Sequence, residues 1–167
     1  MKILVAGDSF VTVENFTRAF SEISKQHDVR FIRMNEAENF QPNSDSEKKI
    51  KEYLGSPRQL IKELDSSDCL VVHGAPVTDA VLDASNNLKL LGCARGGPVN
   101  IDISAATRRK IPVITAPGKN ADAVADLAIA FIIMLSRNLV RALGRNRRCS
   151  RSTRSYHRFA LPIGPVS

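Results

Sequence analysis

No apolar run in the sequence is long enough to cross a bilayer; the longest, Leu127 to Leu135, falls well short of a membrane-spanning helix. Cysteine is scarce. Cys69, Cys93 and Cys149 are odd in number and show no C-x-x-C spacing, which argues against a disulfide scaffold or a zinc site and for reduced thiols in a cytoplasmic protein. The N-terminal MKILVAGDSF lacks a signal-peptide cleavage pattern and reads as a first strand. Acidic residues are missing from Arg137 to Ser167, a stretch that holds eight arginines. Without those eight, sixteen basic residues face seventeen acidic ones, a net of −1. The formal charge of +7 therefore belongs to the tail, and it does not argue that the folded part binds nucleic acid.

What is present fits one domain with a real core: 167 residues, 43% of them hydrophobic. Short apolar runs at Lys2 to Gly7, Asp28 to Met34, Cys69 to Val72, Leu88 to Ala94 and Pro112 to Thr115 read as strands. Helical patterns fall between them. Thr12 can cap a helix carrying Phe16, Ala19, Phe20 and Ile23. Glu47 to Leu64 is helix-prone with a break at Gly55-Ser56-Pro57, and Asp79 to Ala84 and Ile103 to Lys110 are shorter helices. Ala121 to Val140 is a long helix, apolar almost all round. Strands and helices in alternation, with strands apolar on both faces, predict an α/β fold. It is a flavodoxin-like, doubly wound parallel sheet of about five strands with helices on both faces.

In such a sheet, ligands bind outside the C-terminal ends of the strands. That ranks four loops: Gly7-Asp8-Ser9, His73-Gly74-Ala75-Pro76, Arg95-Gly96-Gly97-Pro98 and Ala116 to Asn120. Small residues at Gly74 and Ala75 let a carboxylate or phosphate approach backbone N–H groups; the same glycine also suits a tight turn needing positive φ. Gly96 and Gly97 carry the same two readings, and Arg95 beside them adds a cation able to grip a carboxylate with two hydrogen bonds. His73 has the chemistry of a general acid or base, but the sequence shows no acidic partner for it, which favours a structural role. Asp8 after the first strand raises the possibility of a phosphorylation pocket. Such a pocket needs a further aspartate after the third strand, where His73-Gly74 stands, and is rejected.

The stretch LKLLGCARGGPVNIDISAATRRKIPVITAPGKNADAVADLAIAFIIMLSRN, with VVHGAPVTDAVLDASNNLK before it, resembles the D-isomer-specific 2-hydroxyacid dehydrogenases, the group that includes phosphoglycerate dehydrogenase. The same features follow in order: a strand, a Gly-rich turn, Asn100-Ile101-Asp102, an Ala-Ala helix, an Ile-Pro-Val strand, Pro117 to Asn120, and a helix with Val-Ala-Asp. Residues 1–70 fit in arrangement more than in residues. The resemblance implies a substrate domain over residues 1–118 and a helix over 119–142 that begins a dinucleotide-binding domain. It implies that His73, Gly74, Ala75, Arg95, Gly97 and Asn120 line a site for a small 2-hydroxy or 2-oxo acid, phosphoglycerate among the candidates. Gly96 would face the nicotinamide end of NAD or NADP. The 121–140 helix would pack between the subunits of a homodimer; a buried central helix is the other reading of its apolarity.

The likeness then stops. No G-x-G-x-x-G follows a strand, so nothing cradles a pyrophosphate. The catalytic arginine, glutamate and histidine of the family belong to later segments with no counterpart here, and Arg95 is not that arginine. No catalytic residue is assigned, and the chain alone is expected to be inactive. From residue 143 the composition breaks into an arginine-rich tail, expected to be disordered, as after a truncation or shifted reading frame. The alternative is a non-enzymatic α/β binding module whose tail contacts nucleic acid or a membrane surface, with Tyr156 and Phe159 stacking on bases. Neither a membrane nor a nucleic-acid partner is the favoured expectation.

Overall fold

The strands are short and mainly apolar, apart from the charged edge strand Asp28–Arg33, and each pairs in parallel with a neighbour. The computed structural model describes residues 1–38 and 40–142. The strands are β1 (Lys2–Gly7), β2 (Asp28–Arg33), β3 (Cys69–Val72), β4 (Leu90–Cys93) and β5 (Val113–Thr115). They form one five-stranded parallel sheet in the order β2-β1-β3-β4-β5, the flavodoxin-like order. The helices are α1 (Val13–Ala19), α2 (Pro57–Leu64), α3 (Asp79–Asp83), α4 (Ile103–Arg108) and α5 (Ala121–Ser136), with 3₁₀ turns at Ile23–Lys25 and Glu47–Lys49. The basic tail, and the expectation of disorder placed on it, lies outside the described residues.

Residue alternation along the strands sorts the core into two layers. Leu4, Ala6, Leu70, Val72, Leu91 and Cys93 point to one face, where they pack with Leu60 and Leu64 of α2, Val81 and Leu82 of α3, and Ala105 and Ala106 of α4. Ile3, Val5 and Cys69 point to the other and meet Phe16 of α1, with Phe20 and Phe31 in edge-on contact beside them. Burial pushes the Cys69 thiol up to about 11. The second layer is thinner, and Ile114 of β5 stays exposed.

Helix starts follow the capping chemistry legible in the sequence. Thr12, Thr78 and Asp102 each accept a backbone N–H three residues on and Ser56 one two residues on, and Pro57 sits where its missing N–H costs nothing. One expectation changes. Glu47 to Leu64 is not a broken helix: after one 3₁₀ turn the chain opens into an extended segment, with Glu52 and Gly55 both at positive φ, before Pro57 restarts it. Tertiary pairing holds that segment, since Lys51 N–H donates to the Val99 carbonyl and Leu54 N–H to the Gly74 carbonyl, both at 2.8 Å.

The described chain divides into two compact units, Met1–Lys119 and a second beginning at Asn120. The second holds α5, which is shorter than its apolar pattern suggests. It ends at Ser136 because Asn138 adopts the left-handed conformation, which asparagine tolerates at a helix end. No residue of α5 is buried among the described residues. Nor is any described helix long and apolar enough to cross a membrane.

Leu70, in the central strand, has no exposed surface. Leu70→Ala should lower unfolding free energy by about 3 kcal/mol, read as a shifted urea midpoint with unchanged slope. A loss under 1 kcal/mol would show that this layer is loosely packed.

Candidate functional site

In this strand order the chain leaves β1 toward one edge of the sheet and β3 toward the other, and a crevice opens between their C-terminal ends. Asp8 follows β1 and its side chain is fully buried in that crevice. One carboxylate oxygen accepts the N–H groups of Phe10 and Val11, each at 2.9 Å. The other accepts Gly74 N–H at 2.8 Å, and the His73 Nδ1 lies 2.9 Å from it. Burial by itself pushes the Asp8 carboxyl up, but the hydrogen bonds from Val11, His73 and Phe10 outweigh it and hold the group below its ordinary value. A carboxylate acceptor makes Nδ1 the protonated ring nitrogen, which leaves Nε2 for other partners. His73 therefore does have an acidic partner, contrary to the sequence reading.

Gly74 is glycine for a reason other than a turn. Its φ is not positive, but a Cβ would lie 2.9 Å from Asp8 Oδ2 and 3.0 Å from the Leu54 side chain. Its N–H, expected to face a ligand, is engaged by Asp8. Ala75 is fully buried beneath the loop. Its carbonyl and that of His73 accept from Asn100 Nδ2, at 2.8 and 3.2 Å. Asn100, itself fully buried, thus fastens the loop after β3 to the loop after β4. Val77 and Ile101 extend that junction by a bridge, and Asp102 caps α4.

Arg95 reaches over the strand ends. Nη1 donates to the Glu52 carbonyl at 2.7 Å and Nη2 to the Glu52 carboxylate. The expected cation is present, but paired. Gly96 and Gly97 differ from Gly74: neither has positive φ, and a Cβ at either would meet nothing within 4 Å. The turn does not require them, and the space beside them is open among the described residues. Phe10, Glu52, Tyr53, Leu54, His73, Gly74 and Arg95 line a cavity of about 410 Å³. A second hollow of about 450 Å³ opens near β2, lined by Ser9, Arg33, Met34, Asn35 and Glu36. A third, of about 290 Å³, lies by Lys2 and Asp28 at the opposite end of the strands, away from the crevice.

The structure thus brings together His73, Gly74 and Arg95 of the expected residues, places Ala75 just below them, and sets Gly96 and Gly97 beyond Arg95. Asn120 caps α5 in the second unit without a side-chain hydrogen bond. Sequence reasoning missed Asp8, Glu52, Phe10 and Leu54 as parts of the site. Asp8 carried a signal in its place directly after β1; the others had none, because they arrive from distant segments. No described residues cradle a pyrophosphate: the turn after β1 gives its N–H groups to Asp8, and a Cβ on Gly7 would lie 2.8 Å from Val13 N.

The model of the D-isomer specific 2-hydroxyacid dehydrogenase catalytic domain matches residues 18–161, so the chain belongs to that family. The match runs into the arginine-rich tail. The D-3-phosphoglycerate dehydrogenase of Archaeoglobus fulgidus is 41% identical over 88 residues, 52% of this chain and 17% of that protein. The hydroxypyruvate reductase of Thermotoga maritima is 36% identical over 85 residues, 50% of this chain and 28% of that protein. The chain therefore spans a minor part of these relatives. Among solved structures, the NAD+-bound 3-phosphoglycerate dehydrogenase of Entamoeba histolytica superposes with a TM-score of 0.55 and 25% identity, over 80% of this chain and 38% of that one.

Asp8 gives the site a pH signature. Its lowered carboxyl contributes stability that is fully present above the ordinary carboxylate range and is lost as pH falls below about 4, toward the folded-state value. Asp8→Asn removes the charge and leaves N–H groups poorly satisfied. It should cost about 2 kcal/mol at pH 7, measured by urea unfolding, with the gap from wild type shrinking at pH 3. A gap independent of pH would show that the ionised carboxylate is not what stabilises the crevice.

Proposed function

We propose that Met1–Lys119 is the substrate-binding part of an NAD- or NADP-dependent oxidoreductase acting on the CH–OH group of a small D-2-hydroxy acid, or on the matching 2-oxo acid. Family membership supports the reaction class. The observation that carries the reading is the cavity at the β1–β3 crevice, where the Asp8-held His73 and the Arg95 guanidinium line one wall system. In this reading the ligand carboxylate takes the guanidinium of Arg95, and His73 offers Nε2 to a carboxylate or hydroxyl oxygen. The backbone N–H groups of Gly96 and Gly97 face the ligand, and Gly96 also faces the nicotinamide. Gly74 and Ala75 serve by shaping the loop.

The cofactor supplies the hydride acceptor or donor. Because the described residues offer its pyrophosphate no cradle, turnover is assigned to the protein together with a dinucleotide-binding domain. The exposed apolar side chains of α5, Val124, Leu127, Phe131, Ile132 and Leu135 among them, support a homodimer built on that helix.

An open site with one exposed ion pair binds weakly, by about 1 kcal/mol per contact or less, so a dissociation constant of about a millimolar or weaker is expected. In an NMR titration of the 167-residue chain with D-glycerate, amide shifts should centre on His73, Gly74, Ala75, Gly96 and Gly97 and fade in Arg95→Ala. Strongest shifts elsewhere would refute the assignment. Purified chain mixed with NADH and 2-oxo acids should show no oxidation of the nicotinamide; turnover would show that it is catalytically sufficient. Sedimentation should give a dimer that Phe131→Glu converts to monomer, and a monomeric wild type would overturn the role given to α5.

A further inference from the structure

We infer that Glu52 is a selectivity residue: it occupies Arg95 in place of a ligand carboxylate, and it biases the cavity toward singly charged 2-hydroxy or 2-oxo acids and against acids carrying a second anionic group such as a phosphate. The inference rests on the acid-site reading above.

Arg95 is the one guanidinium among the residues lining the cavity, and Glu52 engages it through both its carboxylate and its carbonyl. The backbone keeps Glu52 there independently of that ion pair. Lys51 N–H is bonded to the Val99 carbonyl, Leu54 N–H to the Gly74 carbonyl, and Glu52 itself sits at φ 51°. The two partners differ in freedom. The Glu52 side chain is 68% exposed and that of Arg95 21%. The carboxylate can therefore turn into water while the guanidinium keeps its place.

A ligand carboxylate that takes over Arg95 replaces one negative charge with another, so the guanidinium stays neutralised. The displaced Glu52 carboxylate remains tethered at the rim. A ligand with a further anion must place it in the field of Glu52 and of Asp8, whose own donors are already satisfied. Among the described residues no lysine and no second arginine lines the cavity; the Lys119 ammonium stands outside the lining, on the Ala94 carbonyl at 2.6 Å. Arg33 lines the separate hollow that Glu36 also lines. A phosphate monoester, carrying a charge of about −1.5 to −2 at neutral pH, therefore meets repulsion without a free counter-charge on this wall.

The test is a pair of NMR titrations at low ionic strength, D-glycerate against 3-phosphoglycerate, on the full chain and on Glu52→Gln and Arg95→Ala. Wild type should favour D-glycerate. Because Glu52 is exposed and screened, Glu52→Gln should narrow that preference by about threefold to fivefold, through tighter binding of the phosphorylated acid. Added salt should narrow it in wild type as well. Arg95→Ala should weaken both acids. Dispersed, native-like amide spectra of the variants show that each is folded. If wild type favours 3-phosphoglycerate, or if the preference is unmoved in Glu52→Gln while both acids still shift the loop amides, the role of Glu52 is overturned and the acid site stands. If neither acid perturbs the loops after β3 and β4, the site reading falls and this inference with it.

Discussion

The buried carboxylate of Asp8 is the constraint on which the functional edge depends. A charge taken out of water must find donors, and here three backbone N–H groups and one imidazole converge on it. Those donors come from two strand ends that share no sequence neighbourhood. Satisfying one carboxylate therefore sets the turn after β1, the turn after β3 and the ring of His73 together. It also dictates glycine at position 74, because the approach of Asp8 and Leu54 leaves no room for a Cβ. With Leu54 drawn against Gly74, the extended segment that carries Glu52 is laid across the strand ends within reach of Arg95.

Rigid and open parts meet at this edge. Asn100, buried and bonded to two carbonyls of the neighbouring loop, stiffens the floor. Above it, Gly96 and Gly97 have neither a strained backbone nor a crowding neighbour among the described residues. In the proposed function, this surface with a fixed floor and free backbone beside a guanidinium is one that a further domain covers. Its polar contacts gain strength only when water is excluded, since exposed charges are screened and a dry site is not. The weak binding expected of this chain follows from the same physics as the strong binding expected of a closed site.

α5 shows the limit of reading burial from composition. A helix apolar on nearly every side belongs in an interior, yet none of its described residues is buried. Apolar content states that a surface is to be covered; it does not state by what.

Much of the fold was legible in the residues themselves. Apolar strand runs, capping residues at Thr12, Ser56, Thr78 and Asp102, and the Pro57 start are local signals, each acting within about one turn or strand. They sufficed for the parallel α/β sheet and for the rank of the strand-end loops, and so for His73, Gly74 and Arg95 as residues of the crevice. What they could not determine is which groups meet. The pairing of Asp8 with His73 spans the sheet from β1 to β3, and that of Glu52 with Arg95 joins a loop to the end of β4. Neither leaves a periodicity or a spacing to read, because hydrogen bonds between distant segments depend on the register of the assembled sheet. The sequence determined that a histidine, an arginine and several glycines stand at the C-terminal edge of the sheet; only the tertiary structure decided that the histidine is held by a buried carboxylate and the arginine is already occupied.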